Sequence, residues 1–222
     1  MVVTTWALTG TSVASPVVGK IELPPPPDRP VATTKGFLDR VENPNKPVRP
    51  VDVGPYLLVV LENDTKPASP GQVTWELVGD SFNRPVIGVP VGAEVVIKNV
   101  SKTARTLAAA EDPKVVPAEP INPTGSKAFR VGQPNVYTVS DKDAPHLKGK
   151  LVVVNTSYVS NVEVTNNVGR FELADVPEGT YKVRIFYRDN WLDRPDDTVT
   201  VPAKAKVKTE VNVKVISLAT KK

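Results

Sequence analysis

The chain has 222 residues, with 28 Lys and Arg against 24 Asp and Glu for a net charge of +4, one histidine (His146), no cysteine and no methionine beyond Met1. Thiolate, thioether and imidazole supply the soft-metal ligands and the commonest nucleophile and base, so thiol catalysis and a disulfide framework are excluded. The basic residues form neither an arginine cluster nor an aromatic-basic face, which argues against nucleic-acid binding.

Hydrophobic residues make up 40% of the chain, with valine the commonest and aromatics only 6%, alongside 23 prolines and 13 glycines. Valine is stiff at χ1 and suits a pleated surface, while so many prolines interrupt helices. The expectation is an all-β protein.

In chain order, residues 1–14 (MVVTTWALTGTSVA) read either as the remnant of a signal peptide, ending small-x-small at Ser12-Val13-Ala14, or as a first strand. Residues 17–23 (VVGKIEL) read as a strand closed by the polyproline stretch 24–27. Residues 28–54 read as a long irregular connection. Residues 56–61 (YLLVVL) are continuously apolar, as in a strand buried on both faces. The turn-rich segment 64–71 marks a boundary. No apolar run reaches the length of a transmembrane helix.

A second block follows. Residues 73–78 alternate, and 85–91 with 93–99 read as a strand pair around Gly92. Residues 126–131 and 135–140 flank a Gly132-Gln133-Pro134 turn, and 150–155 (KLVVVN) close the block. The third block, 165–187, alternates Phe171 and Leu173, turns at Val176-Pro177-Glu178-Gly179, and alternates again through Tyr181, Val183, Ile185 and Tyr187. Residues 198–201 and 207–215 add two strands, with Lys204, Lys206, Lys208 and Lys214 read as edge residues that discourage strand-to-strand association.

Thr165, Gly169-Arg170-Phe171, Leu173, Val176-Pro177, Gly179 and Tyr181 form a pattern that resembles the hairpin of carboxypeptidase regulatory-like (transthyretin-like) β-sandwich modules. Gly19-Lys20-Ile21 and residues 58–61 fit the strands that begin such a module. Residues 85–99 and 137–153 are similar to the strand pair and the last loop of cupredoxins of the plastocyanin and azurin type. Together these resemblances imply two Greek-key-type β-sandwich modules. One is discontinuous (15–65 and 157–219) and carboxypeptidase regulatory-like; the other (70–155) is cupredoxin-like.

The cupredoxin resemblance also implies a ligand set, and this chain departs from it. Arg105 stands where a first ligand histidine is expected and Ser140 where the cysteine is. Asp143 (or Ala144) stands near the second histidine, and Leu147 near the methionine. A type 1 copper site needs two imidazoles and a thiolate, which one histidine and no cysteine cannot supply. The expectation is therefore no cofactor.

Other candidate residues are read against plainer alternatives. His146 with Asp141, Asp143 and Ser140 suggests a weak divalent-metal site or a triad, against a solvated loop histidine. Asp189, Asp193, Asp196 and Asp197 around Trp191 suggest carboxylate hydrolysis or calcium binding, against an ion-paired surface loop. Tyr187, Trp191, Asp193 and Asp196 are taken as a binding surface. The proline-rich segments 24–55 and 112–123 are read as extended arms that lie along a partner.

The functional expectation is a non-enzymatic structural or binding protein of the bacterial cell envelope, periplasmic or extracellular. Its partners would be another protein or an envelope assembly, with peripheral membrane or polysaccharide contact and no nucleic acid. The alternative is a metal-handling or redox accessory protein related to copper proteins.

Overall fold

The structure, a computed structural model, describes residues 14–24, 52–63, 71–203 and 208–220. Expectations for residues 1–13, for most of the 28–54 connection, for the 64–70 turn and for Lys204 and Lys206 fall outside the described residues.

The described chain is built from strands: β1 (Ala14–Glu22), β2 (Leu57–Glu62), β3 (Gln72–Val78), β4 (Ser81–Phe82), β5 (Val86–Pro90), β6 (Glu94–Asn99), β7 (Leu107–Ala109), β8 (Ser126–Arg130), β9 (Asn135–Asp141), β10 (Lys148–Val154), β11 (Val159–Asn161), β12 (Glu163–Thr165), β13 (Val168–Pro177), β14 (Gly179–Tyr187), β15 (Asn190–Trp191), β16 (Asp197–Val201) and β17 (Thr209–Lys214). A single 3-10 turn at Gly54–Tyr56 leads into β2, and there is no α-helix among the described residues. The protein is all-β.

The strands form four sheets, ordered β12-β13-β1-β17, β11-β2-β14-β15 with β16 also on β14, β4-β3-β6-β8, and β5-β10-β9-β7. The first two face each other. Val17, Ile21, Phe171, Leu173, Val211 and Val213 from one sheet meet Leu57, Val59, Leu61, Tyr181, Val183 and Ile185 from the other in one buried core. The last two sheets enclose a second core, with Trp75, Leu77, Val95 and Ile97 against Val89, Tyr137, Val139, Leu151 and Val153. Each fully buried Val, Leu, Ile or Phe stabilises by about 1.5–3 kcal/mol relative to exposure, so either core is substantial.

The continuous apolar runs have a specific cause. Along β2 the odd residues Leu57, Val59 and Leu61 point into the first core, while Leu58 and Val60 point out of it. Along β10, Leu151 and Val153 point into the second core while Val152 and Val154 point out. The two outward sets meet with Val86 and Phe186 to form a third buried cluster. The two sandwiches are thus joined face to face, giving four stacked sheets with a buried apolar seam in the middle. A Cβ added at Gly88 on β5 would overlap Val159 and Leu58, so a glycine is what lets the sheets approach here.

Two readings of the second block are corrected. Residues 85–91 and 93–99 do not pair with each other: β5 runs parallel to β10, whereas β6 pairs with β3 and β8. The chain crosses between sheets at Gly92 (φ +80), as two strands of one sandwich do when they belong to opposite layers. Nor is 112–123 an arm without a core, since Val116 and Ile121 are buried in the second core.

Candidate functional site

At one end of the second sandwich lies the segment after β6 that carries Arg105. Asn99, at the end of β6, is buried and saturated. Its Nδ2 donates to Thr103 O and Ile121 O, each at 2.8 Å, and its Oδ1 accepts from Ser101 N (3.0 Å) and Ser101 Oγ (2.6 Å). That network folds residues 100–104 back and delivers Arg105, which pairs with Ile121 as an isolated bridge.

Arg105 is 7% exposed. Its Nη1 donates to Asp141 Oδ2 at 3.3 Å and its Nη2 to Gly79 O at 3.2 Å and to Asp80 Oδ1. Asp141 is itself buried, and its Oδ1 accepts the Asp143 N–H at 2.9 Å. Backbone bonds Asp141 N to Leu147 O (3.1 Å) and Leu147 N to Ala144 O (2.9 Å) close the loop that follows β9. A buried cation here is held by one buried and one exposed carboxylate.

The four residues offered as former ligand positions do not converge. Arg105 and Leu147 are buried, Leu147 in the second core, while Asp143 is exposed. Ser140 is half-buried and lies on the opposite face of β9 from Val139 and Asp141, which point inward. Asp141, not Ser140, is therefore the residue that shares the interior with Arg105. The inward parity of Tyr137, Val139 and Asp141 was the signal available for it. His146 is exposed, and among the described residues no group of three or more His, Cys, Asp or Glu is placed to hold a metal ion. The donor set does not fit type 1 copper: a guanidinium is no ligand, and the imidazole points to solvent.

The second candidate surface also separates. Tyr187 is buried in the first core and offers no ligand contact area, which corrects its place in a binding surface. Trp191 lies on the other face of its sheet, half-buried, edge-on to Phe186 (centroids 5.4 Å) with Arg184 Cζ 4.0 Å over its ring. Arg184 also grips Glu62 through both carboxylate oxygens at 3.0 and 3.1 Å. Trp191, Arg184 and Glu62, with Asn63, Asn135 and Asn155, line a cleft of about 670 Å³ where the seam opens. Asp193 and Asp196 are exposed, Asp197 pairs with Arg194 at 2.7 Å, and Asp189 reaches Lys150 at 3.4 Å. Asp189 and Asp197 are thus each tied to a different cation.

No protein-family model matches this chain, and no curated protein matches it. Solved structures similar to it include a purple cupredoxin from Nitrosopumilus maritimus (14% identity over 36% of this chain and 98% of that one, TM-score 0.33). Others are a mutant plastocyanin of fern (18%, 37% and 100%, TM-score 0.33) and amicyanin from Paracoccus versutus (14%, 43% and 97%, TM-score 0.35). No described helix is long and apolar enough to cross a membrane.

Proposed function

We propose that this chain is a non-enzymatic structural or binding protein of the bacterial cell envelope, exported and part of a larger assembly. A cupredoxin-like sandwich (70–155) that has lost type 1 copper is joined in it to a carboxypeptidase regulatory-like module (15–65 and 157–219). The observation that carries this reading is the buried Arg105–Asp141 pair, which occupies the end of the second sandwich with a permanent cation. Arginine stays protonated in proteins, and Arg105 engages the two carboxylates at this end, Asp141 and Asp80, that could otherwise act as metal ligands.

Two further features support a role in contact. Val78 and Val100 are exposed apolar residues at the same end, since Val100 N bonds Leu77 O and Arg105 bonds Gly79 O. The buried apolar seam makes the two sandwiches a stiff spacer instead of beads on a linker.

Titration of chelator-treated protein with Cu(II), followed by visible absorption and calorimetry, tests the reading. The expected result is no charge-transfer band and no saturable heat at micromolar copper. Stoichiometric binding would favour the metal-handling alternative instead.

A further inference from the structure

The alternation that buries the seam also loads one end of it with cations. Along β10 the seam-facing positions are Lys148, Lys150, Val152 and Val154; along β14 the same face carries Phe186, and Arg188 follows in the turn after the strand. Where the apolar cluster ends, Lys148, Lys150, Arg188, Tyr56, Thr138 and Asp189 surround a pocket of about 400 Å³ contributed by both sandwiches.

The charges there are unevenly satisfied. Lys150 Nζ donates to Thr138 Oγ1 at 2.8 Å and pairs with Asp189 at 3.4 Å. The nearby Glu111 carboxylate is engaged by the Thr138 N–H and hydroxyl. Lys148 and Arg188 are exposed and have no ion-pair partner among the described residues.

Arg188 is nevertheless held in place. Its guanidinium lies 5.5 Å from the Tyr56 ring centroid and 5.2 Å from that of Tyr187, and its backbone N–H donates to Tyr56 O at 3.1 Å. Its φ of +55 sits in the left-handed region, where a hairpin turn ordinarily selects Asn or Gly. An arginine kept at a glycine-favouring position, aimed by two aromatic rings, is a pre-set charge.

We propose that this pocket binds a phosphate monoester group. Lys148 and Arg188 lack a counter-charge while Lys150 is shared by Asp189 and Glu111, and a phosphate monoester, at about −1.5 to −2 near neutral pH, offers acceptor oxygens to more than one cation at once. The inference stands apart from the reading above, because neither a copper result nor a phosphate result alters the other.

Calorimetric titration of the full chain with inorganic phosphate, at fixed ionic strength set by chloride, is the test, with phosphatidic acid vesicles against phosphatidylcholine vesicles as a second arm. Saturable phosphate binding that falls by about tenfold or more in Lys148→Gln/Arg188→Gln, and is unchanged in Lys182→Gln at the other end of the seam, supports a free phosphate ligand. The same variant pattern seen with the phosphatidic acid vesicles alone supports a lipid headgroup as the source. Thermal unfolding verifies that the variants, all at exposed positions, remain folded. Absence of saturable binding to both probes overturns the proposal, as does equal weakening in Lys182→Gln.

Discussion

The Arg105 guanidinium lies 3.3 Å from the Asp141 carboxylate, and both groups are almost wholly removed from water. Asp80 closes the other side of the guanidinium but is itself mostly exposed, with 73% of its side-chain surface free. The pair joins the segment after β6 to the end of β9, two strands in opposite sheets of one sandwich. Removing Asp141 leaves the buried guanidinium with only the exposed Asp80 as counter-charge, and breaking a buried pair costs up to about 3–5 kcal/mol, whereas an exposed ion pair contributes about 0–1 kcal/mol. Asp141→Ala is therefore expected to lower the denaturant midpoint far more than Asp80→Ala. A double-mutant cycle on Arg105→Leu and Asp141→Leu is expected to show coupling of about 1–3 kcal/mol. Equal effects of the two aspartates would contradict the assignment.

Gly19 and Phe171 explain each other. They are directly opposite in the β1–β13 ladder, and a Cβ at residue 19 would overlap the Phe171 ring. The ring lies across the glycine and covers backbone that no side chain protects. Gly19→Ala is expected to destabilise by about 1–3 kcal/mol through overpacking. Combining it with Phe171→Leu is expected to restore part of that loss, read as a non-additive shift in the urea midpoint.

The seam cluster determines whether the two sandwiches unfold together. Phe186 is fully buried there and belongs to neither sandwich core. Phe186→Ala is expected to cost about 3–5 kcal/mol and to split one calorimetric unfolding transition into two. Val139→Ala, inside the second core, is expected to leave Phe186 and the seam intact and to shift the transition without splitting it. A single cooperative transition in Phe186→Ala would show that the seam is not what couples them.

Two tyrosines fix an alkaline limit. Burial raises the Tyr158 phenol above its ordinary value of 10.0. Burial also raises Tyr181, aided by the neighbouring Tyr158 and opposed by a hydrogen bond with Asn63. The rings meet edge to face at 5.6 Å, and Tyr181 Oη donates to Pro177 O at 3.0 Å. An acid whose folded pKa is raised keeps its proton longer folded than unfolded. Stability from this source is complete below about pH 10 and declines as pH climbs from there through the folded values. Tyr158→Phe is expected to flatten the fall of the unfolding midpoint between pH 9 and 11, to be measured by urea titration at stepped pH.

The strands were legible where one face is wet. The alternation of Phe171 with Leu173, and of Tyr181, Val183 and Ile185, appears in the structure as β13 and β14 facing the first core. The apolar run 56–61 announced burial on both faces but not the partner, because that partner is a second sandwich built from residues distant in sequence. The strand pair expected around Gly92 is absent for a related reason. A turn glycine shows that the chain reverses, not whether it reverses within one sheet or across two. At the candidate site, Arg105 was visible as a misfit residue, but Asp80, Asn99 and Asp141 became part of it only through tertiary hydrogen bonds. Tyr187 was misplaced because the sheet face it occupies depends on the strand pairing beyond it.

The proposed function rests on the Arg105–Asp141 ion pair at the end of the second sandwich and on the absence of copper binding there. The most direct measurement is equilibrium unfolding by urea in the presence of EDTA and in the presence of saturating Cu(II). A ligand that binds only the folded state stabilises it by mass action, about 2.7 kcal/mol at a hundredfold excess over Kd. Superimposable curves are predicted. A copper-dependent rise in the unfolding midpoint that is abolished by His146→Ala would contradict the account.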